Sequence, residues 1–161
     1  MLLQIKGSRN LRSLASRSVD TRIAEFASFD WAPAVNDQSL HELRIRAKKL
    51  RYALEIYNTL HSKDHLLFPI ESIRQLQEVL GQIHDLAILE LAVEQEQKEW
   101  DPVRFEIIPA ALANLRDEID REKRRLYSSV VPFYSRALDS LRTQFRSIAG
   151  ASISKLKSEA G

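Results

Sequence analysis

The 161-residue chain has the length of one ordinary domain, and its 44% hydrophobic and 29% charged residues exclude a disordered polymer. A formal net charge of +2 leaves no strongly one-signed chain, and four glycines with five prolines are too few for the turns of an all-β fold. The absence of cysteine excludes disulfide and thiol chemistry, no apolar run of about 18 residues offers a spanning helix, and "MLLQIKGSRN" is too short in apolar residues for a secretory signal, so a cytoplasmic soluble protein is expected.

Leu11, Ala15, Val19, Ile23 and Phe26 recur at three- and four-residue steps, which predicts a first helix over about residues 8–28. "FDWAPAVND" breaks it with Pro33 and turn-forming polar residues. Ser39 or Asp37 is expected to cap a second helix from near Leu40 to about His61, with Leu43, Ala47, Leu50, Leu54 and Tyr57 on its apolar face. Pro69 stands near the start of a third helix, about residues 69–98, which "WDP" closes and whose packing stripe is Leu76, Leu80, Ala87 and Leu91. "FEIIPAAL" leads into a fourth, predicted to begin at Pro109 and to bury Leu112, Ile119, Leu126 and Val130. It is expected to run past residue 145, bent or interrupted at Pro132, with residues 151–161 fraying. No repeat or linker divides the sequence. The expected fold is all-α, one antiparallel bundle of four main helices with short connections.

The charges are sorted along this plan. Residues 41–60 hold five Lys/Arg against two acids, residues 61–100 three against eight, and residues 110–161 ten against six. Within "HELRIRAKKLRY", His41, Arg44, Lys48 and Arg51 follow at steps of three and four, forming one stripe beside the core face of the second helix. Tyr52 borders the stripe and Glu55 continues it by a turn, while Arg46 and Lys49 point elsewhere. From position 41 to 51 the stripe extends about 15 Å. Like charges at this spacing repel by a few tenths of a kcal/mol per pair, a penalty that an anionic partner would relieve. A merely solvated basic face explains the stripe equally well at this point.

"LQEVLGQIHD" carries a glycine inside the third helix, which costs roughly 1 kcal/mol relative to alanine. Close approach of another helix or of a ligand is the expected reason for Gly81. Asp85 lies a turn further on, on the side of Gly81 and Arg74. His84 falls in the apolar stripe, where a hydrogen-bonded core histidine is the simpler expectation than a ligand. On the fourth helix, Lys123 falls among the buried positions of "DREKRRLYSS". It either snorkels to an edge or reaches into a cleft rimmed by Arg121, Arg124 and Arg125.

"LHELRIRAKKLRYALE" followed by "LQEVLGQIHD" resembles the CHAD family of histidine-containing α-helical domains. The resemblance rests on His41, Arg44, Lys48-Lys49, Arg51-Tyr52 and Glu55, and then on Leu80-Gly81 and Asp85. It is best over residues 39–150, looser over the basic cluster of the fourth helix and weak over the first helix. It implies a non-catalytic module that binds inorganic polyphosphate or a similar polyanion along a basic surface, without a cofactor or metal. His41, Arg44, Lys48, Lys49 and Arg51 would contact phosphate, joined by Lys123, Arg124 and Arg125; Tyr52, Glu55, Gly81 and Asp85 would support them. Glu55 and Asp85 are expected to orient arginines or to balance the charge of an empty site. Many family members are joined to a triphosphate-tunnel domain. A full CHAD domain has two similar helical halves across a basic channel, and this chain resembles the C-terminal half alone. It is therefore expected to be a fragment or to take its other wall from a complementary half or a second copy.

Rival chemistries are weaker. "EQEQK" at residues 94–98 matches the Glu-x-Glu-x-Lys of tunnel triphosphatases, but that pattern needs a strand to put alternate residues on one face, and this stretch has helical character. "HSKDH" at residues 61–65 offers His61 and His65 with no further ligands nearby, and a surface loop is expected. A nucleic-acid-binding or protein-docking helical module remains the alternative function. The shortage of aromatics beside the arginines counts against a base-stacking surface.

Overall fold

The computed structural model describes residues 2–30, 36–61, 66–99 and 107–159. They form four helices: α1 (Leu2–Ala27), α2 (Asp37–His61), α3 (Leu67–Glu99) and α4 (Ile107–Glu159). No strand occurs among the described residues, and α2 packs on α1 and α3 while α3 packs on α4. The fold is an all-α helical bundle. The cross-helix contacts give the directions: Arg51 meets Gln77 and His41 meets His84, so α2 and α3 are antiparallel. Lys123 meets Glu90 and Arg116 meets Glu94, so α3 and α4 are antiparallel too.

Each helix buries one face because its apolar residues recur at three- and four-residue spacing. Val19 and Phe26 of α1, Leu43, Leu50 and Leu54 of α2, Ile73, Leu76, Leu80 and Ile83 of α3, and Val130, Ala137 and Leu141 of α4 share one core. Full burial of each large aliphatic or aromatic side chain contributes about 1.5–3 kcal/mol. Two of the expected core positions are exposed, Leu11 at 56% and Leu91 at 67%. Leu91 projects past the helix that would have covered it. Lys123 bridges Asp37 and Glu90, so α2 begins level with Glu90 and Leu91 extends beyond it. Counted back from the Arg46–Glu25 contact, Leu11 is level with the last turn of α2.

The start of α2 departs from expectation in a way that matters for the site. Asn36, rather than Ser39 or Asp37, is the cap. Its Oδ1 accepts the Ser39 N–H at 2.9 Å, and its own N–H donates to Ser39 Oγ at 3.0 Å, a reciprocal box with serine in the usual glutamate place. Asp37 is left free to serve another helix. At the end of α1, the backbone oxygens of Glu25 and Phe26 accept hydrogen bonds from Arg46 Nη1 at 2.7 Å and the Tyr134 hydroxyl at 2.8 Å. These orphan helix-end carbonyls thereby tie α1 to both α2 and α4. α4 starts two residues before Pro109 and is not interrupted at Pro132, which is exposed. Water can therefore serve the carbonyl that proline leaves without a donor. The "WDP" breaker and residues 31–35 lie outside the described residues.

Candidate functional site

The basic stripe of α2 and one face of α3 lie side by side and touch at two levels, which bound the surface groove that any two packed helices leave between them. At one end the His41 and His84 rings face each other, with centroids 5.4 Å apart. At the other, Arg51 Nε donates to Gln77 Oε1 at 2.8 Å. Gln77 and His84 stand four residues before and three after Gly81, so helical periodicity places Gly81 on the same bank, between the two contacts. Arg44 and Lys48 lie between His41 and Arg51 on the opposite bank by the same argument.

Charge pairing divides the cations sharply. Arg46, which the periodicity turns away from the stripe, is committed to α1: it bonds Glu25 O, pairs with Glu42 and lies 5.7 Å from the Phe29 ring centroid. Arg51 is held by Gln77, by Glu55 Oε1 at 2.6 Å, and by the Tyr52 ring 4.7 Å below its guanidinium carbon. Glu55 thus stands one turn beyond Arg51 and pairs with it. Arg44, Lys48 and Lys49 have no carboxylate partner among the described residues; Lys48 only leans toward Tyr52, with Nζ 6.0 Å from the ring centroid. Lys48 and Lys49 are exposed and Arg44 is half-buried. Like charges one turn apart without counterions make this bank an anion-attracting surface.

The basic cluster of α4 is not arranged this way. Lys123 Nζ bonds Asp37 at 3.0 Å and Glu90 at 2.7 Å, and its side chain is only 13% exposed. It neither snorkels freely nor lines an open cleft; it joins the start of α2, α3 and α4. Burial alone would raise the Asp37 carboxyl, but hydrogen bonds from Tyr127 and Lys123, with the Lys123 and His84 charges, hold it below 3.8. Burial and the hydrogen bond to Asp37 push the Tyr127 phenol from 10.0 up to about 12. Burial works against the Lys123 ammonium, yet Glu90 and Asp37 together raise its pKa. Arg125 is exposed and paired with Glu122 on its own helix, and Arg121 with Glu118. Arg124 is exposed and unpaired among the described residues.

Three of the α3 expectations resolve differently. Another helix does not explain Gly81: a Cβ built there meets nothing within 4 Å. His84 is half-buried against His41 rather than a core histidine. Asp85 is exposed and pairs with no arginine among the described residues; it lines a shallow depression between α3 and α4 with Leu86, Leu89 and Arg125. Gln77 was invisible to sequence reading because only the fold brings it opposite Arg51. Its Nε2 is buried without an acceptor.

The rival motifs find no support. Residues 94–98 are helical, with Glu94 paired to Arg116 at 3.4 Å, so the alternate-residue geometry of a strand is not available to "EQEQK". His61 ends α2 with its ring stacked 4.0 Å from that of Tyr57, while residues 62–65 of "HSKDH" lie outside the described residues. No group of three or more metal-ligating side chains is clustered among the described residues.

Comparison with known families decides what this arrangement belongs to. A family model described as CHAD domain matches residues 4–94, more than half of the chain. The chain belongs to the CHAD family. No curated protein and no solved structure matches it. The CHAD match begins in α1 and ends in α3, so it contains both banks of the groove and the Asn36 cap but stops before α4. Membership therefore bears directly on His41, Arg44, Lys48, Lys49, Arg51, Tyr52, Glu55, Gly81 and Asp85, and not on Lys123, Arg124 or Arg125. No helix among the described residues is long and apolar enough to cross a membrane.

Proposed function

We propose that this CHAD domain binds inorganic polyphosphate in the α2/α3 groove and catalyses nothing on it. The observation that carries this reading is the bank of α2 on which Arg44 and Lys48 stand, among the described residues, without carboxylate partners beside the held Arg51 and the His41–His84 pair. A linear anion with a charge on every unit needs a row of donors rather than a closed pocket. Arginine supplies forked charge-assisted hydrogen bonds and lysine a mobile point charge. Arg124, exposed on α4 and unpaired among the described residues, is the cation of that cluster left to take phosphate; Lys123 is better explained as structure. The second wall of the site would come from a second copy or a complementary CHAD half, and a cytoplasmic setting fits a chain without cysteine.

Nucleic acid is the rival polyanion. Tyr52, 45% exposed, is an aromatic at the edge of the row, but the Arg51 guanidinium lies against its ring. Competition at matched charge tests the choice. Polyphosphate should displace a labelled RNA at a much lower charge concentration than RNA displaces labelled polyphosphate; parity would make the groove a general polyanion surface.

Glu55 makes a separate prediction. Its carboxylate holds Arg51 at 2.6 Å and competes with any phosphate for that guanidinium. Glu55→Gln removes the competing charge and keeps the side-chain shape. It should tighten polyphosphate binding by up to about fivefold, read by titration calorimetry, because a partly exposed ion pair contributes no more than about 1 kcal/mol.

A further inference from the structure

Gly81 is a residue that neither the helix nor the packing around it explains. It occupies the interior of α3, where alanine would stabilise the helix, and its backbone has no positive φ that would call for glycine. Nothing stands within 4 Å of where its Cβ would be, so no neighbouring element needs the room. Its position is nonetheless specific. Gln77 and His84, on the same face to either side, each touch a residue of the α2 stripe. By helical periodicity the bare backbone at Gly81 lies on the α3 face between the Arg51–Gln77 and His41–His84 contacts, level with Arg44.

From this, and resting on the polyphosphate reading, we infer that Gly81 sets the depth of the groove and thereby selects an unsubstituted phosphate chain over a sugar–phosphate backbone. Adjacent antiparallel helices run about 8–10 Å axis to axis, so a single missing side chain changes the trough between them substantially. A chain seated on the Gly81 backbone lies low enough for Arg44 and Lys48 to reach it from the side while Arg51 and His41 close the ends. Every unit of an inorganic chain has unesterified oxygens and no substituent, so it enters such a trough in any rotation about its axis. A nucleic-acid phosphate carries sugars on two of its oxygens and must ride on the rim, where it meets the exposed lysines and not the floor.

The test is a graded series, Gly81→Ala and Gly81→Gln, with polyphosphate and single-stranded RNA titrated against each and thermal unfolding followed in parallel. Both variants should unfold at a higher temperature than the wild type, because the added side chain improves the helix and meets no neighbour. Polyphosphate affinity should nevertheless fall, by about tenfold for alanine and further for glutamine, the size expected when charge-assisted contacts are lengthened. RNA affinity should stay within about twofold, since rim contacts are electrostatic and tolerant of position. Unchanged polyphosphate affinity in both variants, with Arg44→Ala/Arg51→Ala still weakening it, would overturn the role of Gly81 and leave the polyphosphate reading standing. Equal losses for RNA and polyphosphate would overturn the selectivity, and a lowered unfolding temperature would show that the space serves packing. Failure of the wild type to bind polyphosphate, or binding indifferent to Arg44 and Arg51, would remove the functional reading itself and this inference with it.

Discussion

Replacing Arg44, Lys48 and Arg51 together by alanine should weaken polyphosphate binding by about a thousandfold, since charge-assisted contacts contribute roughly 1.5–3 kcal/mol each and act in one row. The salt dependence should change with it. Each neutralised phosphate releases condensed counterion, with a log–log slope of about −0.7 per contact for a single strand, so the triple variant should lose about two units of slope. Titration calorimetry at two salt concentrations measures both quantities on the same samples. The three positions do not contribute alike to the fold. Arg44 and Lys48 have no carboxylate partner among the described residues, so their truncation relieves repulsion within α2, whereas Arg51→Ala also releases Gln77 and Glu55. Arg44→Ala/Lys48→Ala should therefore leave the unfolding temperature unchanged or slightly raised while already weakening binding. If the triple variant binds as the wild type does, with the same salt slope, the stripe is a solvated face and not a binding surface.

The helical frame was legible because α2 and α4 bury residues at regular spacing: Leu43, Ala47, Leu50 and Leu54, then Ile119, Leu126 and Val130, are buried where the period places them. Periodicity does not show where a neighbouring helix stops. Leu91 keeps the phase of its stripe yet lies past the start of α2, and Leu11 likewise meets no cover. The α2 bank of the site was legible for the same reason, since spacing alone puts His41, Arg44, Lys48 and Arg51 on one face. The α3 bank was only half legible. Gly81 stood out as an unfavourable residue in a helix, but Gln77 and His84 acquire meaning only from the α2/α3 register, which no local pattern encodes. Lys123 shows the opposite error. A lysine in a basic run resembles a phosphate contact until the fold sets Asp37 and Glu90 beside it, and Asp37 was available because Asn36 had taken the cap.

Lys123→Met should therefore damage the fold and spare the ligand. The ammonium is the shared partner of two carboxylates from different helices and is nearly enclosed, so removing it strands Glu90, whose side chain is 22% exposed, while Asp37, at 45%, keeps water. A fully buried pair would cost more; this half-open one should lower the unfolding free energy by about 2–3 kcal/mol. Asp37→Asn/Lys123→Met should cost less than the sum of its single changes, because each single variant removes the same contact. The pH profile carries an independent signature. The Asp37 carboxyl is held below 3.8, so its contribution is present above that value and is lost as pH falls through the lowered one. The Lys123 ammonium is raised above 10.5, so its contribution is complete below 10.5 and is lost as pH rises past it. The Tyr127 phenol acts in the same sense, its contribution present below 10.0 and lost through about 12. Wild-type stability should then fall at both ends of the scale, and Lys123→Met should have much of the alkaline fall removed because its ammonium is gone. Polyphosphate affinity should be unchanged at neutral pH, measured well below the variant's unfolding temperature. A variant that keeps its stability and loses its ligand would instead place Lys123 in the binding row, and the basic run of α4 would have to be counted as a third bank of the site.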